Sequence, residues 1–298
     1  MIRTSYVVVY FVCSPLYVLS IMHDICISIV NTNEKNDIDQ CLSTLLADSI
    51  DSGLSIGIVI VDNGSVEDIE PLLKEKFPQA TLIRKQCNEG FGKSHNTAMQ
   101  RVAARYYFIL NPDTTFPPGQ QFLKRLYEFM EAHSQVGVAG PKILYPDGLL
   151  QYSCYRFPTF WQPLYSRTKL GVRGRGQTIA SDFLMKHFDH ARTMPVDWVM
   201  GSAMFVRGAA IHQVGMFDER FWMYAEDSDW CRRMWEKNWA VYYVHDVMLQ
   251  HVHKRASAKV PGVINALLKN KYARVHFISW LKYFWKWRGN HKYYGIKG

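Results

Sequence analysis

Glu226-Asp227 places two adjacent carboxylates between an aromatic run (Phe217, Phe221, Trp222, Tyr224) and the segment Trp230-Cys231-Arg232-Arg233. Carboxylates walled by aromatic rings hold their protons more tightly than exposed ones, and such a group can deprotonate an attacking hydroxyl. The same residues also suit a helix N-terminus, with Asp229 pairing to Arg232 or Arg233. Asp113, in Asn111-Pro112-Asp113-Thr114, can help to hold a divalent cation that neutralises a departing diphosphate, or can cap a turn. Asp62, in Asp62-Asn63-Gly64-Ser65, can accept a hydrogen bond from a nucleobase or serve as a turn residue. His251 and His253 offer imidazoles to a metal or to solvent. None of these residues decides alone.

What must position them is a series of short β-rich runs alternating with helical spacings. Ile25–Val30, Ile56–Val61, Ala80–Ile83 and Tyr106–Leu110 read as strands. Asp37–Leu46, Val66–Phe77 and Lys93–Ala104 between them read as helices. Such alternation predicts βαβ units and a parallel sheet. Ligands of these sheets sit beyond the carboxyl ends of the strands. Asn31–Asn33, Asp62–Ser65 and Asn111–Asp113 all fall at strand ends, so they converge on one edge. Further along, Gln121–Ala132 predicts a helix and Val136–Ile143 a strand, while the basic, Gly-rich stretch 166–181 reads as a mobile loop. Val196–Val206 is rich in β-formers around the small residues Gly201-Ser202-Ala203. Asp227–Lys237 predicts a helix and Ala240–Val244 the last strand, with His251 and His253 following it.

The 298 residues, 48% of them hydrophobic, suffice for a large core, and no stretch has the composition of a disordered segment. Six cysteines, Cys13, Cys26, Cys41, Cys87, Cys154 and Cys231, form no CxxC pair and no metal-type spacing, which suits core residues in a reducing compartment. The net charge of +9 is concentrated: residues 247–298 hold eleven Lys and Arg and no acid, leaving 24 basic against 26 acidic residues elsewhere. Residues 262–288 interleave apolar and aromatic residues (Ile264, Leu268, Ile278, Trp280, Leu281, Phe284, Trp285) with Lys and Arg at helical spacing, the pattern of a helix lying on an anionic membrane surface. A helix that docks on the rest of the chain with a solvated basic face is the other reading. No nucleic-acid motif accompanies the charge, so nucleic acid is not expected as a partner. The apolar stretch Tyr6–Met22 is shorter than a comfortable membrane span and lacks a clear signal cleavage site, so residues 1–21 are expected to be a dispensable extension.

Taken in order, the motifs are Asn31-Thr32-Asn33, Val61-Asp62-Asn63-Gly64-Ser65, Asn88-Glu89-Gly90-Phe91-Gly92 with Asn96, Asn111-Pro112-Asp113, Val196 to Ala203, Phe217-Asp218-Glu219, and Glu226-Asp227-Ser228-Asp229-Trp230-Cys231-Arg232-Arg233. From about Asp24 to His253 this series resembles the family 2 inverting glycosyltransferases of the GT-A fold, and most of all their bacterial rhamnosyltransferase branch. The resemblance implies an α/β fold in which a Rossmann-like nucleotide-binding half and an acceptor-binding half share one mixed, mainly parallel sheet. It divides the chain into the extension 1–21, a GT-A domain 22–253 and a basic, aromatic helical region 254–298. It assigns nucleotide-sugar binding to Thr32, Asp62, Asn88, Gly90, Asn96 and Asp113, and the catalytic base to Asp227. Trp198, Gly201 and Glu226 fall on the acceptor side. A divalent metal, Mg2+ or Mn2+, is implied at Asp113. Asn111 stands where the family's metal motif has Asp, which leaves one carboxylate there and makes His251, 24 residues after the base, the candidate second ligand.

The activity so implied is an inverting transfer of a sugar, L-rhamnose from dTDP-rhamnose in the first place, to a polyprenyl-diphosphate-linked saccharide. That places the chain in lipopolysaccharide O-antigen or other surface-polysaccharide synthesis, at the cytoplasmic face of the bacterial inner membrane where nucleotide-sugars are available. The same fold with a UDP-hexose or UDP-galactofuranose donor is the alternative. A non-catalytic sugar-nucleotide-binding or membrane scaffold protein is a different class, against which the joint presence of Asp113 and Asp227 argues.

Overall fold

Strand β1 (His23–Asn31) alternates its side chains in the manner that builds a two-faced sheet. Ile25, Ile27 and Ile29 join one apolar core, and Cys26 joins another on the opposite face. Helix α1 (Lys35–Ser49) covers the first face because Ile38, Cys41, Leu42 and Leu45 recur at helical spacing and are all buried. Helix α3 (Phe91–Arg101) covers the second, where Ser28 Oγ lies 2.7 Å from His95 Nδ1. Burial holds that imidazole neutral, far below its usual range at about 3, so it is a core residue.

The computed structural model describes residues 22–162, 165, 174–252, 265, 268–290 and 292. The extension 1–21, His253 and residues 166–173 of the expected loop lie outside them. β2 (Ile56–Asn63), β3 (Ala80–Lys85) and β4 (Ala104–Leu110) join β1 in parallel, in the order β3-β2-β1-β4. β11 (Ala203–Arg207) pairs antiparallel with β4 and with β6 (Val136–Leu144). β12 (Ala240–His251) runs parallel to β6, and the short β5 (Thr114–Thr115) closes that edge antiparallel to it. The expected mixed, mainly parallel sheet is present. Short pieces complete the strand set: β7 (Leu150–Gln151) on β6, β9 (Met194–Pro195) on β12, and a separate ribbon of β8 (Cys154–Tyr155) with β10 (Trp198–Val199).

Several expected boundaries move for identifiable reasons. The helix expected at 66–77 is α2 (Glu70–Lys76), since the N–H groups of Val66 and Glu67 donate to Asn33 Oδ1 and hold that stretch as a loop over the β1 end. Ala104, expected to end α3, begins β4. Part of the expected loop 166–181 is instead helix α5 (Gly174–Phe183). The β-rich run 196–206 is two strands of different sheets, β10 and β11, separated by Met200-Gly201-Ser202. β12 extends past the expected Val244, so His251 is its last residue rather than part of a following loop. Helices α4 (Phe122–Ala132), α6 (Gly208–Val214) and α7 (Glu226–Glu236) complete the layers.

The C-terminal helix α8 (Lys271–Lys286) begins where Asn270 caps it, accepting from the N–H groups of Tyr272 and Ala273. It docks on the body formed by the sheet and its helices. Its Lys286 ammonium lies 2.7 Å from Asp218 and from the fully buried Asp229, which also accepts from Trp287 Nε1 at 2.8 Å and Arg233 Nε at 2.9 Å. Arg232 is enclosed by Phe157, with Tyr283 and Trp287 also within cation–π range. Tyr283 is 1% exposed, while Phe277, Ile278, Leu281 and Trp285 face outward. The helix therefore has a docked face and an apolar exposed face.

Candidate active site

The polar strand ends and α8 enclose a cavity of about 650 Å³. One wall comes from the strand-end loops through Thr32, Asn63, Asn88, Asn111 and Asp113. Tyr155, Trp198 and Gly201 form another, His251 comes from the end of β12, and Glu226 and Asp227 come from the first turn of α7. Residues far apart in the chain thus meet at the carboxyl edge of the sheet.

Asp227 is fixed by two backbone donors. Its Oδ2 accepts from Gly201 N–H at 3.0 Å, and its Oδ1 accepts from Ser228 N–H at 2.8 Å. Gly201 packs next to the carboxylate: a Cβ there would lie 3.4 Å from Asp227 Oδ2 and from the Phe91 ring. The chain reaches this arrangement through two successive non-glycine residues in the left-handed region, Tyr224 (φ 71°) and Ala225 (φ 69°). Each costs roughly 1–3 kcal/mol, a strain that persists where surrounding structure enforces it and that concentrates at functional sites. Asp229, the competitor for the helix-terminal role, pairs with Arg233 and Lys286 behind the cavity. Asp227 is left for the cavity.

Burial raises the Asp227 carboxyl above the ordinary carboxylate range, against the pull of its two backbone donors. Glu226 is raised further, first by burial and then by the neighbouring Asp227 charge. Its Oε2 is buried and meets no hydrogen-bond partner among the described residues. The pair therefore combines a carboxylate suited to taking a proton near neutrality with a carboxyl group that keeps one.

Asp113 and His251 meet as expected from sequence. Asp113 Oδ1 lies 3.1 Å from His251 Nε2, and Asn111 Nδ2 lies 3.5 Å from the same nitrogen. Gln151 orients the ring: its Nε2 donates to the His251 carbonyl at 3.5 Å and its Oε1 faces His251 Nδ1 at 2.7 Å. Nδ1 then carries the hydrogen, and Nε2 is the atom turned to Asp113. A carboxylate oxygen and an imidazole nitrogen at this separation match adjacent ligands of a six-coordinate cation with bonds of roughly 2.0–2.3 Å. Among the described residues no three His, Cys, Asp or Glu side chains cluster as a complete cage. Any cation would share these two groups with a ligand or water.

The other expected residues divide. Thr32, Asn88, Trp198 and Gly201 line the cavity. Trp198 stacks on Tyr155 with ring centroids 4.4 Å apart. Asp62 lies buried at the end of β2, outside the lining, and accepts from Asn31 Nδ2 at 3.0 Å. Gly90 serves close packing, since a Cβ there would meet the Trp222 carbonyl oxygen at 2.2 Å and its φ is 96°. Asn96 does not reach the cavity lining: its amide is engaged by the N–H and C=O of Phe217, at 3.0 and 2.9 Å. It holds the 217–219 segment on α3. Sequence reasoning missed Gln151, a lone polar residue with no local signal. It also missed Asn63 as a site residue, whose side chain joins Asn88 and Glu89 to the β2 end.

A mixed, mainly parallel sheet with a cavity at its carboxyl edge, closed by an acidic helix N-terminus, is the GT-A glycosyltransferase fold. Residues 26–187 match the model of Glycosyl transferase family 2 and residues 108–288 that of Glycosyl transferase family group 2; the chain belongs to glycosyltransferase family 2. It is 24% identical over 227 residues, 70% of each protein, to the N-acetylglucosaminyl-diphospho-decaprenol L-rhamnosyltransferase of Mycobacterium tuberculosis. Among solved structures it resembles a mannosyltransferase of Pyrobaculum calidifontis in complex with GDP-Man and Mn2+, with a TM-score of 0.55, 15% identity, and coverage of 88% of this chain and 70% of that one. GalNAc-T7 with UDP, GalNAc and Mn2+ also superposes with a TM-score of 0.55, at 12% identity, over 77% of this chain and 44% of its own.

Glu226 offers a measurable consequence. Because folding raises its proton affinity, its stabilising contribution is complete below the unfolded value near ~4.3 and is lost as pH rises through the folded one. Glu226→Gln is expected to raise the melting temperature, and the gain over wild type to grow from about pH 5 to about pH 8. A gain that is absent or independent of pH in thermal melts contradicts the buried, proton-holding assignment.

Proposed function

We propose that the chain transfers L-rhamnose from dTDP-rhamnose to a saccharide carried on a polyprenyl diphosphate, by a single displacement that inverts the anomeric centre. One observation carries the reading: Asp227, held by two backbone N–H groups, shares a cavity with the Asp113–His251 pair. Asp227 accepts the proton of the acceptor hydroxyl while that oxygen bonds to the anomeric carbon, and the bond from that carbon to the donor diphosphate breaks. Asp113 and His251 would hold a divalent cation, Mg2+ or Mn2+, and when bound it would stabilise the departing diphosphate. Mn2+ in two structural neighbours supports this assignment. Thr32 and Asn88 face the donor nucleotide, with Asp62 supporting the β1 and β2 ends behind them. Trp198, Gly201 and Glu226 face the acceptor. Similarity to the mycobacterial rhamnosyltransferase supports both the donor sugar and the lipid-linked acceptor. The same fold with UDP-hexose or UDP-galactofuranose remains the second donor choice, to be read in the same assay. The process served is surface-polysaccharide synthesis of the O-antigen kind, at the cytoplasmic leaflet.

Asp227→Asn is expected to lower transfer by about 10²-fold or more, while donor binding measured calorimetrically stays close to wild type. A variant with near wild-type turnover removes Asp227 from the role.

No helix among the described residues is long and apolar enough to cross a membrane. The exposed stripe Phe277, Ile278, Leu281 and Trp285 of α8, with Arg274, Lys282 and Arg288 on the same helix and its C-terminal end, supports peripheral attachment to an anionic leaflet. Replacing Leu281 and Trp285 by Glu is expected to abolish co-sedimentation with phosphatidylglycerol vesicles at low salt. Sedimentation equal to wild type overturns the attachment.

A further inference from the structure

Residues 215–225, which lead into α7 and deliver Asp227, form neither helix nor strand. They end in the two left-handed residues Tyr224 and Ala225. Backbone strain of that kind persists only where the surroundings enforce it. On one side the loop before α3 does so. Phe91 N–H donates to the Trp222 carbonyl at 2.8 Å, and Trp222 Nε1 donates to the Asn88 carbonyl at 3.2 Å. On the other side lies α8. Its Tyr272 ring lies 6.5 Å from that of Trp222, and its His276 ring stacks on Tyr224, with centroids 4.4 Å apart and planes 17° from parallel. Ser279 Oγ donates to the Met223 carbonyl at 2.8 Å, Lys282 Nζ to the Arg220 carbonyl at 2.7 Å, and Lys286 reaches Asp218 at 2.7 Å. From His276 onward, successive turns of α8 thus grip this stretch in antiparallel order.

Ser279 is the contact closest to the strain. A serine inside a helix usually turns its hydroxyl to water or back to the carbonyl four residues earlier. Ser279 is buried and directs its hydroxyl across to the carbonyl of the residue just before the left-handed pair. It is not among the residues that line the cavity. Any effect of Ser279 on sugar transfer therefore passes through the segment it holds.

We propose that Ser279 is a positioning residue for the base: its hydrogen bond to the Met223 carbonyl, beside the Tyr224–His276 stack, holds the left-handed entry to α7 and so fixes Asp227 against Gly201. The proposal rests on the reading of Asp227 as the base, and it adds that α8 aims that base. Without the hydrogen bond, Tyr224 and Ala225 relax toward ordinary backbone angles and the first turn of α7 shifts. Asp227 Oδ2 then leaves the Gly201 N–H, and the acceptor hydroxyl loses its aligned proton acceptor. A misplacement of about 1 Å suffices to slow a reaction by roughly 10²-fold.

The test uses the full chain with dTDP-rhamnose and a prenyl-diphosphate-linked saccharide, and counts folded sites by calorimetric titration with dTDP. Ser279→Ala is expected to lower kcat per dTDP-binding site about tenfold, the scale of one hydrogen bond, with the donor KM unchanged. Adding Ala225→Gly to Ser279→Ala is expected to recover most of that loss, because glycine adopts a φ of 69° without strain. Amides of residues 221–228 are expected to exchange with deuterium faster in Ser279→Ala than in wild type. Turnover per site equal to wild type overturns the proposal. So does a loss that only follows the number of dTDP-binding sites, since that marks a structural role, and so does a double variant as slow as Ser279→Ala. If the wild-type chain transfers no sugar from any nucleotide-sugar, the transfer reading fails by itself. Hydrogen exchange then decides the positioning: faster exchange at residues 221–228 in Ser279→Ala supports it, and unchanged exchange overturns it.

Discussion

The hydrogen bond from Gly201 N–H to Asp227 Oδ2 is the contact on which the site depends. It joins the turn between β10 and β11 to the first residues of α7. The turn carries Gly201, whose backbone packs close to the carboxylate, so that a Cβ there would lie 3.4 Å from Asp227 Oδ2 and from the Phe91 ring. The helix must be entered through two left-handed residues, Tyr224 and Ala225. Those two left-handed residues do not favour stability. Together with the Gly201 hydrogen bond they hold a carboxylate of raised proton affinity at a fixed place in the cavity, where preorganisation is worth more than in water.

The remaining polar architecture keeps other charges away from that carboxylate. Asp229 is withdrawn into a buried cluster with Arg233, Lys286 and Trp287. Removing one partner of such a cluster would strand a buried charge at a cost of about 3–5 kcal/mol. The cluster ties α8 to α7, so the C-terminal helix and Asp227 share one support. Across the cavity, Gln151 sets the imidazole of His251 toward Asp113. Asn111, at the position where the family's motif has Asp, stands beside that pair as a neutral amide.

The sheet was legible in the sequence because its signals are local. Short, nearly continuous apolar runs mark β1, β2 and β4, and the polar clusters after them mark the edge where ligands meet. Asp227 and Asp229 were harder to separate, since both suit a helix N-terminus. The local i,i+4 partner Arg233 was in view, and the tertiary partner Lys286 decides between them. Gln151 was invisible because its partner is one hundred positions away in sequence. Asn96 carries the motif but acts on the Phe217 backbone, a contact across 121 positions. The outward pattern of the C-terminal segment was readable as an amphipathic helix. Its docked face was not, because Ala273, Ser279 and Tyr283 are individually unremarkable and gain meaning only against the groups they meet.

The central claim is direct displacement at the anomeric carbon by an acceptor hydroxyl that Asp227 deprotonates. Its most direct test is the anomeric configuration of the transferred sugar, read by one-bond carbon–proton coupling in the isolated product. A configuration opposite to that of the donor is the expected result. Retention of the donor configuration would contradict a single displacement and with it the role given to Asp227.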